Sequence, residues 1–340
     1  MTPPRIASQP TQSEHPFAPF IRILGKGKTG TRSLTQEEAR QAFGMILRGE
    51  TEPLQLGAFL MLLRVKEETP EELAGFVQAC REIMLSPPAA LTADLDWSSY
   101  AGKHHQHPWY ILSMLLLAGA GYRVLAHGSA GHTPGRLYTE LALAQLGIPV
   151  ATGWKDVMQQ LASTGLSYLP LESFCAPLQL LMQLRPLLGL RSPVNTLCRL
   201  LNPLRAPASL QSIFHPAYAR LHQQADLLLG QPRALVFKGE SGEVEIKPHA
   251  DTRLCLLQEG KLEECVLPRA LSGRMDPVSS PSVEPLRELW LGLSDEEYGL
   301  RATLETTAVA LMALDGTLGL ASAAQRARQL WESRDTARLA

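Results

Sequence analysis

The sequence predicts an α/β (α+β) protein in two unequal parts: a small N-terminal helical bundle and a larger C-terminal α/β domain with a mixed central sheet flanked by helices. Two patterns predict it. Up to about residue 88 the apolar stripes keep a helical period and open at capping sequences. Beyond a Pro-rich stretch, short apolar runs of strand type alternate with helical ones. The 340 residues are 45% apolar and 19% charged, which supports a sizeable core and excludes wholesale disorder.

Residues 1–33 read as a mobile basic arm: polar and Pro-rich at first, then IRILGKGKTGTRS, with cations and no acid. Thr35-Gln-Glu-Glu38 is a capping box whose stripe runs through Phe43, Ile46 and Leu47 and stops at Gly49. Pro53 suits a first helical position, and Leu56, Phe59, Leu60 and Leu63 follow at helical spacing. Thr69-Pro-Glu-Glu72 opens a third helix to about Met84, closing a domain over 34–88. Residues 89–340 form the second domain. It holds a buried helix at 111–120, strands at 122–126 and 234–237, a helix at about 216–229, and a hairpin of 252–257 with 261–267 around Glu259-Gly260. Helices at about 303–314 and 319–333 complete it.

The longest apolar run, Ile111 to Tyr122, is shorter than the roughly 17–25 residues that cross a bilayer, so no membrane association is expected. Five cysteines, widely spaced and never in C-x-x-C, argue against a disulfide scaffold or structural zinc, and with no export signal in view they fit a reducing cytoplasm. Gly25-Lys-Gly-Lys-Thr29 lacks the spacing of a phosphate-binding P-loop. His104, His105 and His107, without cysteine or carboxylate support, read as a wet loop rather than a metal cluster. Tyr100 and Trp109 could stack on bases, but their sequence settings favour core positions.

Net charge is −1, which excludes a polybasic protein but hides a segregated charge pattern. No acid occurs from Ser173 to Ala225, where Arg185, Arg191, Arg199, Arg205 and Arg220 fall, nor from Trp97 to Thr139, where Lys103, Arg123 and Arg136 fall. The acids gather at 67–72, 240–245, 259–264 and 295–297. Acid-free segments that converge on one cleft would make a positive surface for phosphates.

The stretches LTQEEARQAFGMILRGE, PLQLGAFLMLLRVKEETPEELAGF, VLAHGSAG, LRSPVNTLCRLLNP and ALVFKGESGEVE together resemble the anthranilate phosphoribosyltransferase family over nearly the whole chain from about residue 30. The resemblance implies a dimerising helical domain, an α/β domain and a cleft between them. It also marks departures. The family's Gly-Thr-Gly-Gly-Asp loop, whose bare backbone meets the pyrophosphate of phosphoribosyl pyrophosphate, corresponds to Trp97-Ser-Ser-Tyr-Ala-Gly-Lys103, so Tyr100 and Lys103 are expected to project into that seat and only Gly102 persists. The magnesium-holding Asp-Glu pair becomes Val244-Glu245, leaving Glu243 and Glu245 as a vestige. Asn-x-x-Gly-Pro becomes Asn195-Thr-Leu-Cys198-Arg199. Arg185, His127 and Asn195 match family positions, so Tyr100, Gly102, His127 and Asn195 outline a vestigial substrate pocket.

Loss of diphosphate-handling groups with gain of cations resembles the YbiB-like branch, which implies a catalytically retired cytoplasmic homodimer that binds nucleic acid, DNA or RNA, with little sequence preference. Lys103, Arg185, Arg191 and Arg199 would be the central phosphate contacts, with Lys26, Lys28, Arg136 and Lys238 peripheral; no cofactor, metal or catalytic group is expected. The competing expectation is a magnesium-dependent phosphoribosyl or glycosyl transferase that uses phosphoribosyl pyrophosphate with Glu243, Glu245 and Asn195. A protein-interaction scaffold is a third.

Overall fold

A computed structural model describes residues 13–27, 29–131, 133–273 and 276–340. Four helices come first: α1 (Ala18–Gly25), α2 (Gln36–Leu47), α3 (Pro53–Lys66) and α4 (Pro70–Ile83). Both capping boxes form: Thr35 and Glu38 satisfy each other's backbone at the start of α2, as do Thr69 and Glu72 at α4. Glu72 is buried and also accepts from the Leu34 N–H at 2.9 Å and the Lys66 ammonium at 2.7 Å, so one carboxylate joins the ends of three segments. Gly75 lets α4 cross α2 closely, because a Cβ there would lie 2.2 Å from the Gln36 carbonyl oxygen.

From Phe17 onward the structure departs from the mobile arm expected over 1–33. Phe17 is fully buried, its ring 5.2 Å from that of Phe59, and Leu24 is buried with it. Arg32 pairs with Glu38 at 2.7 Å. The segment from Phe17 onward is thus the first layer of the helical domain. Residues 1–12 and Lys28 lie outside the described residues.

The second domain holds a seven-stranded sheet of order β3-β2-β1-β4-β5-β6-β7. Its strands are β1 (Leu95–Ser99), β2 (Val124–Gly128), β3 (Leu166–Pro170), β4 (Ala208–Ile213), β5 (Arg233–Lys238), β6 (Thr252–Gln258) and β7 (Lys261–Leu267). The first five run parallel, with Leu95 level with Val124 on one side and Ala208 on the other; β6 and β7 form the antiparallel hairpin. Between the strands lie α5 (Tyr110–Gly119), α6 (Thr139–Gln145), α7 (Trp154–Thr164), α8 (Ala176–Met182), α9 (Arg185–Leu188), α10 (Val194–Leu197) and α11 (Tyr218–Leu228), and after the hairpin α12 (Glu284–Leu291), α13 (Glu297–Leu314) and α14 (Leu320–Glu332).

Pleat alternation divides the core. Val124 and Ala126 of β2 face the layer of α5, α13 and α14, and Leu125 faces the opposite layer, which is continuous with the helical domain. Arg81 of α4 donates to the carbonyls of Leu200 and Leu201 at 3.1 and 2.8 Å, tying the two domains together. Strand order reverses beside β1, with β2 and β3 to one side and β4 and β5 to the other. The crevice outside the carboxyl ends of these strands is where open α/β sheets place ligands.

Docking of α1 is directly testable. Phe17→Ala is expected to lower stability by about 3 kcal/mol in urea unfolding, the usual cost of truncating a buried phenylalanine. A loss below about 0.5 kcal/mol would show α1 undocked.

Candidate functional site

The loop leaving β1 turns at Gly102, where φ is +68° and a Cβ would stand 3.1 Å from the Tyr138 ring and Arg136 Cβ. This turn aims successive backbone N–H groups at one point, a geometry that binds anions. The anion is the chain's own. Glu243, fully buried after β5, accepts from the N–H groups of Ala101 at 2.6 Å and Gly102 at 2.5 Å through one oxygen and from the Ser99 hydroxyl at 2.7 Å through the other. No cation forms an ion pair with Glu243 among the described residues.

Lys103 points inward and is fully buried between Glu240 at 2.7 Å and Glu245 at 2.6 Å. Burial opposes its charge, but Glu245 and Glu240 outweigh that and hold the ammonium above its ordinary pKa. Burial pushes Glu245 up to about 7 against the pull of Lys103. The second oxygen of Glu245 accepts from the Tyr110 N–H at 2.9 Å.

Behind the loop a polar chain crosses the sheet. Tyr100 Oη is 2.7 Å from His127 Nδ1, and His127 Nε2 lies 3.1 Å from Asp96 Oδ1, within ion-pair distance but misaligned for a hydrogen bond. The Ser209 hydroxyl donates to Asp96 at 3.0 Å. The Gln211 amide donates to Ser209 and to Asp226, at 3.2 and 2.8 Å, and its carbonyl oxygen lies 2.8 Å from His222 Nδ1. Burial lowers His222 to about 3 and raises Asp226 to about 8.

Two cavities open above this floor, of about 120 and 660 Å³. They share Ile213, Phe214 and Ser241 as a partition. The smaller lies between the two domains, with Arg64 and Glu68 on one side and Arg191, Asn195 and Arg199 on the other. The larger is lined by His105, Arg136, Lys238, Lys247 and Arg253, among others. Arg191 has its pKa lowered by burial and then by Arg185, Arg136 and Arg199, so the charges of these three reach it. None of the four pairs with a carboxylate among the described residues. Arg136 holds the carbonyls of Ala101, Gly102 and Ser241, Arg199 those of Ser212 and Gly242, and Arg185 donates to the Thr133 hydroxyl at 3.0 Å.

Residues 18–84 match the helical bundle domain of a glycosyl transferase family, and residues 111–333 match its a/b domain. The chain belongs to this family. Its relatives place it with the anthranilate phosphoribosyltransferase-like members. Over 245 residues it is 30% identical to the YbiB protein of Escherichia coli (strain K12), covering 71% of this chain and 76% of that one. Over 241 residues it is 31% identical to the anthranilate phosphoribosyltransferase of Methylocella silvestris, covering 71% and 68%. The anthranilate phosphoribosyltransferase of Thermus thermophilus shares the fold, with TM-score 0.76 and 23% identity over 94% of this chain and 96% of that one. The Saccharomyces cerevisiae enzyme in complex with PRPP and Mg does so at 0.77 and 18%, over 96% of each.

Within this family fold, several expected site residues change role. Lys103 does not reach solvent and cannot be a phosphate contact; two carboxylates draw it inward. Tyr100 is 2% exposed and faces His127, so Glu243, not Tyr100 or Lys103, fills the loop. Trp109 is core at 1% exposure. Arg199 is 9% exposed and mainly clamps backbone, though it borders the smaller cavity. Arg123 is neutralised by Asp94 at 2.7 Å and Arg220 by Glu264 at 2.5 Å. Lys26 is exposed at the end of α1 and lines neither cavity.

The carboxylates do not fit a metal: Lys103 takes oxygens of Glu240 and Glu245, and N–H and O–H donors take those of Glu243. Sequence reading passed over Glu68, Phe214, Tyr218, His222 and Glu240. KGESG placed Glu240 beside the vestigial acids, but for the others no sequence signal exists.

Asp226 gives the floor a pH signature. Its pKa is raised on folding from the ordinary 3.8 to about 8, so between these values the folded chain binds more protons than the unfolded one. Stability carried by protonated Asp226 is therefore lost as pH rises from about 4 through about 8. Asp226→Asn is expected to flatten that slope in urea melts at pH 5 and pH 8; an unchanged slope would show that Asp226 ionises freely.

Proposed function

We propose that this protein binds nucleic acid through phosphate contacts in the cleft, with little reading of sequence, and that it does so as a homodimer. The observation that carries the reading is the convergence of Arg136, Arg185 and Arg199 on Arg191, without acidic partners among the described residues, beside a diphosphate-type loop already filled by Glu243. A filled loop and engaged carboxylates disfavour phosphoribosyl pyrophosphate and magnesium. A run of unneutralised guanidinium groups favours a polyanion, because each phosphate they meet releases condensed counterions. Arg185 and Arg191 are the central contacts. Arg136, Lys238 and Lys26 lie further out, and Arg199 supports them by fixing the backbone beneath.

Leu54 and Val65 of α3 are 88% and 85% exposed, an apolar surface suited to a second copy of the helical domain. Pairing would place two clefts on one particle and lengthen the phosphate track. Leu54→Glu with Val65→Glu is expected to halve the mass measured by light scattering. An unchanged mass would place any interface elsewhere.

A labelled oligonucleotide titrated at several salt concentrations tests the binding reading. The slope of log affinity against log salt is expected at about −3 to −4, as for some four neutralised phosphates, with similar affinity across sequences. Arg191→Glu and Arg185→Glu are each expected to weaken binding and reduce the slope by about 1. Salt-insensitive binding, or unchanged affinity in both variants, would overturn the reading.

A further inference from the structure

The smaller cavity carries more than cations. Two buried polar side chains in its lining each leave an atom without a hydrogen bond: Glu68, 7% exposed, at Oε2, and His222, 1% exposed, at Nε2. The tautomer of His222 follows from its neighbour. Gln211 commits its amide nitrogen to Ser209 and Asp226, so its carbonyl oxygen faces His222 Nδ1 and takes that proton. Nε2 is left as a bare acceptor. A buried polar atom without a partner costs about 1–3 kcal/mol, and two in one cavity ask for a ligand that meets them. Burial raises the pKa of Glu68, which favours a carboxyl able to donate as well as accept.

The walls supply the rest of the recognition. Tyr218 is half-buried, and Phe214 is 48% exposed with its ring edge-on to His215 at 5.1 Å. Arg64, Arg191 and Arg199 surround them. Aromatic faces, a hydrogen-bonding floor and a cationic rim together match a planar heterocycle that carries N–H and carbonyl groups and a tethered phosphate.

We infer that this cavity receives one unstacked nucleobase, which packs against Phe214 and Tyr218, hydrogen-bonds to His222 Nε2 and Glu68, and leaves its phosphate to Arg191. This rests on the nucleic-acid reading and adds that the cleft prefers a strand with accessible bases. Phosphates alone would bind equally well without bases. A base in the cavity adds a stacking and hydrogen-bonding increment that a duplex gives up only by unpairing.

The test is fluorescence anisotropy on the full chain with three labelled oligonucleotides of equal length: a single strand, a duplex, and a strand whose central nucleotides are abasic. The single strand is expected to bind about tenfold tighter than the abasic strand, the margin of one stacked base. Glu68→Leu and His222→Phe are expected to remove most of that margin and leave duplex affinity unchanged. If His222→Phe does not fold, Glu68→Leu, of similar volume and without a polar atom, carries the test. Equal binding of native and abasic strands overturns this inference and leaves the phosphate reading standing. Binding of none of the three overturns the phosphate reading itself. Titration with adenosine monophosphate separates a free nucleotide from a strand. Saturable binding that Glu68→Leu abolishes, with no margin between the two strands, overturns the strand assignment.

Discussion

The buried Glu243 carboxylate organises the site. By accepting from Ala101, Gly102 and Ser99 it fastens the loop after β1 to the loop after β5, 141 and 142 residues apart in sequence at its two N–H contacts. A carboxylate so deep is tolerable only because fixed donors replace its water. The same two loops turn their carbonyls outward, and Arg136 and Arg199 cap them at Ala101, Gly102, Ser241 and Gly242. The inner side of the junction is therefore anionic and the outer side cationic, with the peptide planes between aligning the two.

Lys103 follows from this geometry. Once Glu243 fills the turn, the adjacent side chain is carried inward, where it is retained only because Glu240 and Glu245 meet it. Removing one member of such a buried set costs about 3–5 kcal/mol, so the arrangement is structural and firmly held. It also explains how a chain of net charge −1 presents a positive cleft: Glu240, Glu243 and Glu245 are buried, while Arg185 and Arg191 stay partly open. The charge that matters to a polyanion is that of the surface, which the sum over the sequence does not report.

Elements with local signals were legible in the sequence. The capping boxes at Thr35 and Thr69, the helical period of α3 and the hairpin around Glu259-Gly260 all lie where spacing and cap chemistry put them. Strands β1, β3 and β4 escaped because their buried positions include Ser98, Ser99, Ser167, Ser209, Gln211 and Ser212, which break the continuous apolar run expected of a buried parallel strand. Ser209 and Gln211 carry the polar chain under the site, and Ser99 and Ser212 hold Glu243 and the Gly239 N–H, so much of the site's polar framework and its illegibility have one cause. Helix α1 was hidden by a Pro-rich approach and cations that suggested an arm, while its anchor, Phe17, needed Phe59 to be recognised. Lys103 was misread because its acid-free neighbourhood extends along the sequence, whereas its partners come from 137 and 142 residues away. Glu68 and His222 are marked only by atoms without partners, a property that exists in three dimensions alone.

On the proposed reading, a loop of diphosphate-binding geometry is closed by an internal carboxylate and the cleft is left to a polymer. Paired calorimetry on the full chain addresses it most directly, with magnesium and phosphoribosyl pyrophosphate injected in one run and a mixed-sequence oligonucleotide in the other. Saturable heat is expected from the oligonucleotide and none from millimolar phosphoribosyl pyrophosphate. Stoichiometric heat from the sugar diphosphate, with none from the oligonucleotide, would contradict this reading.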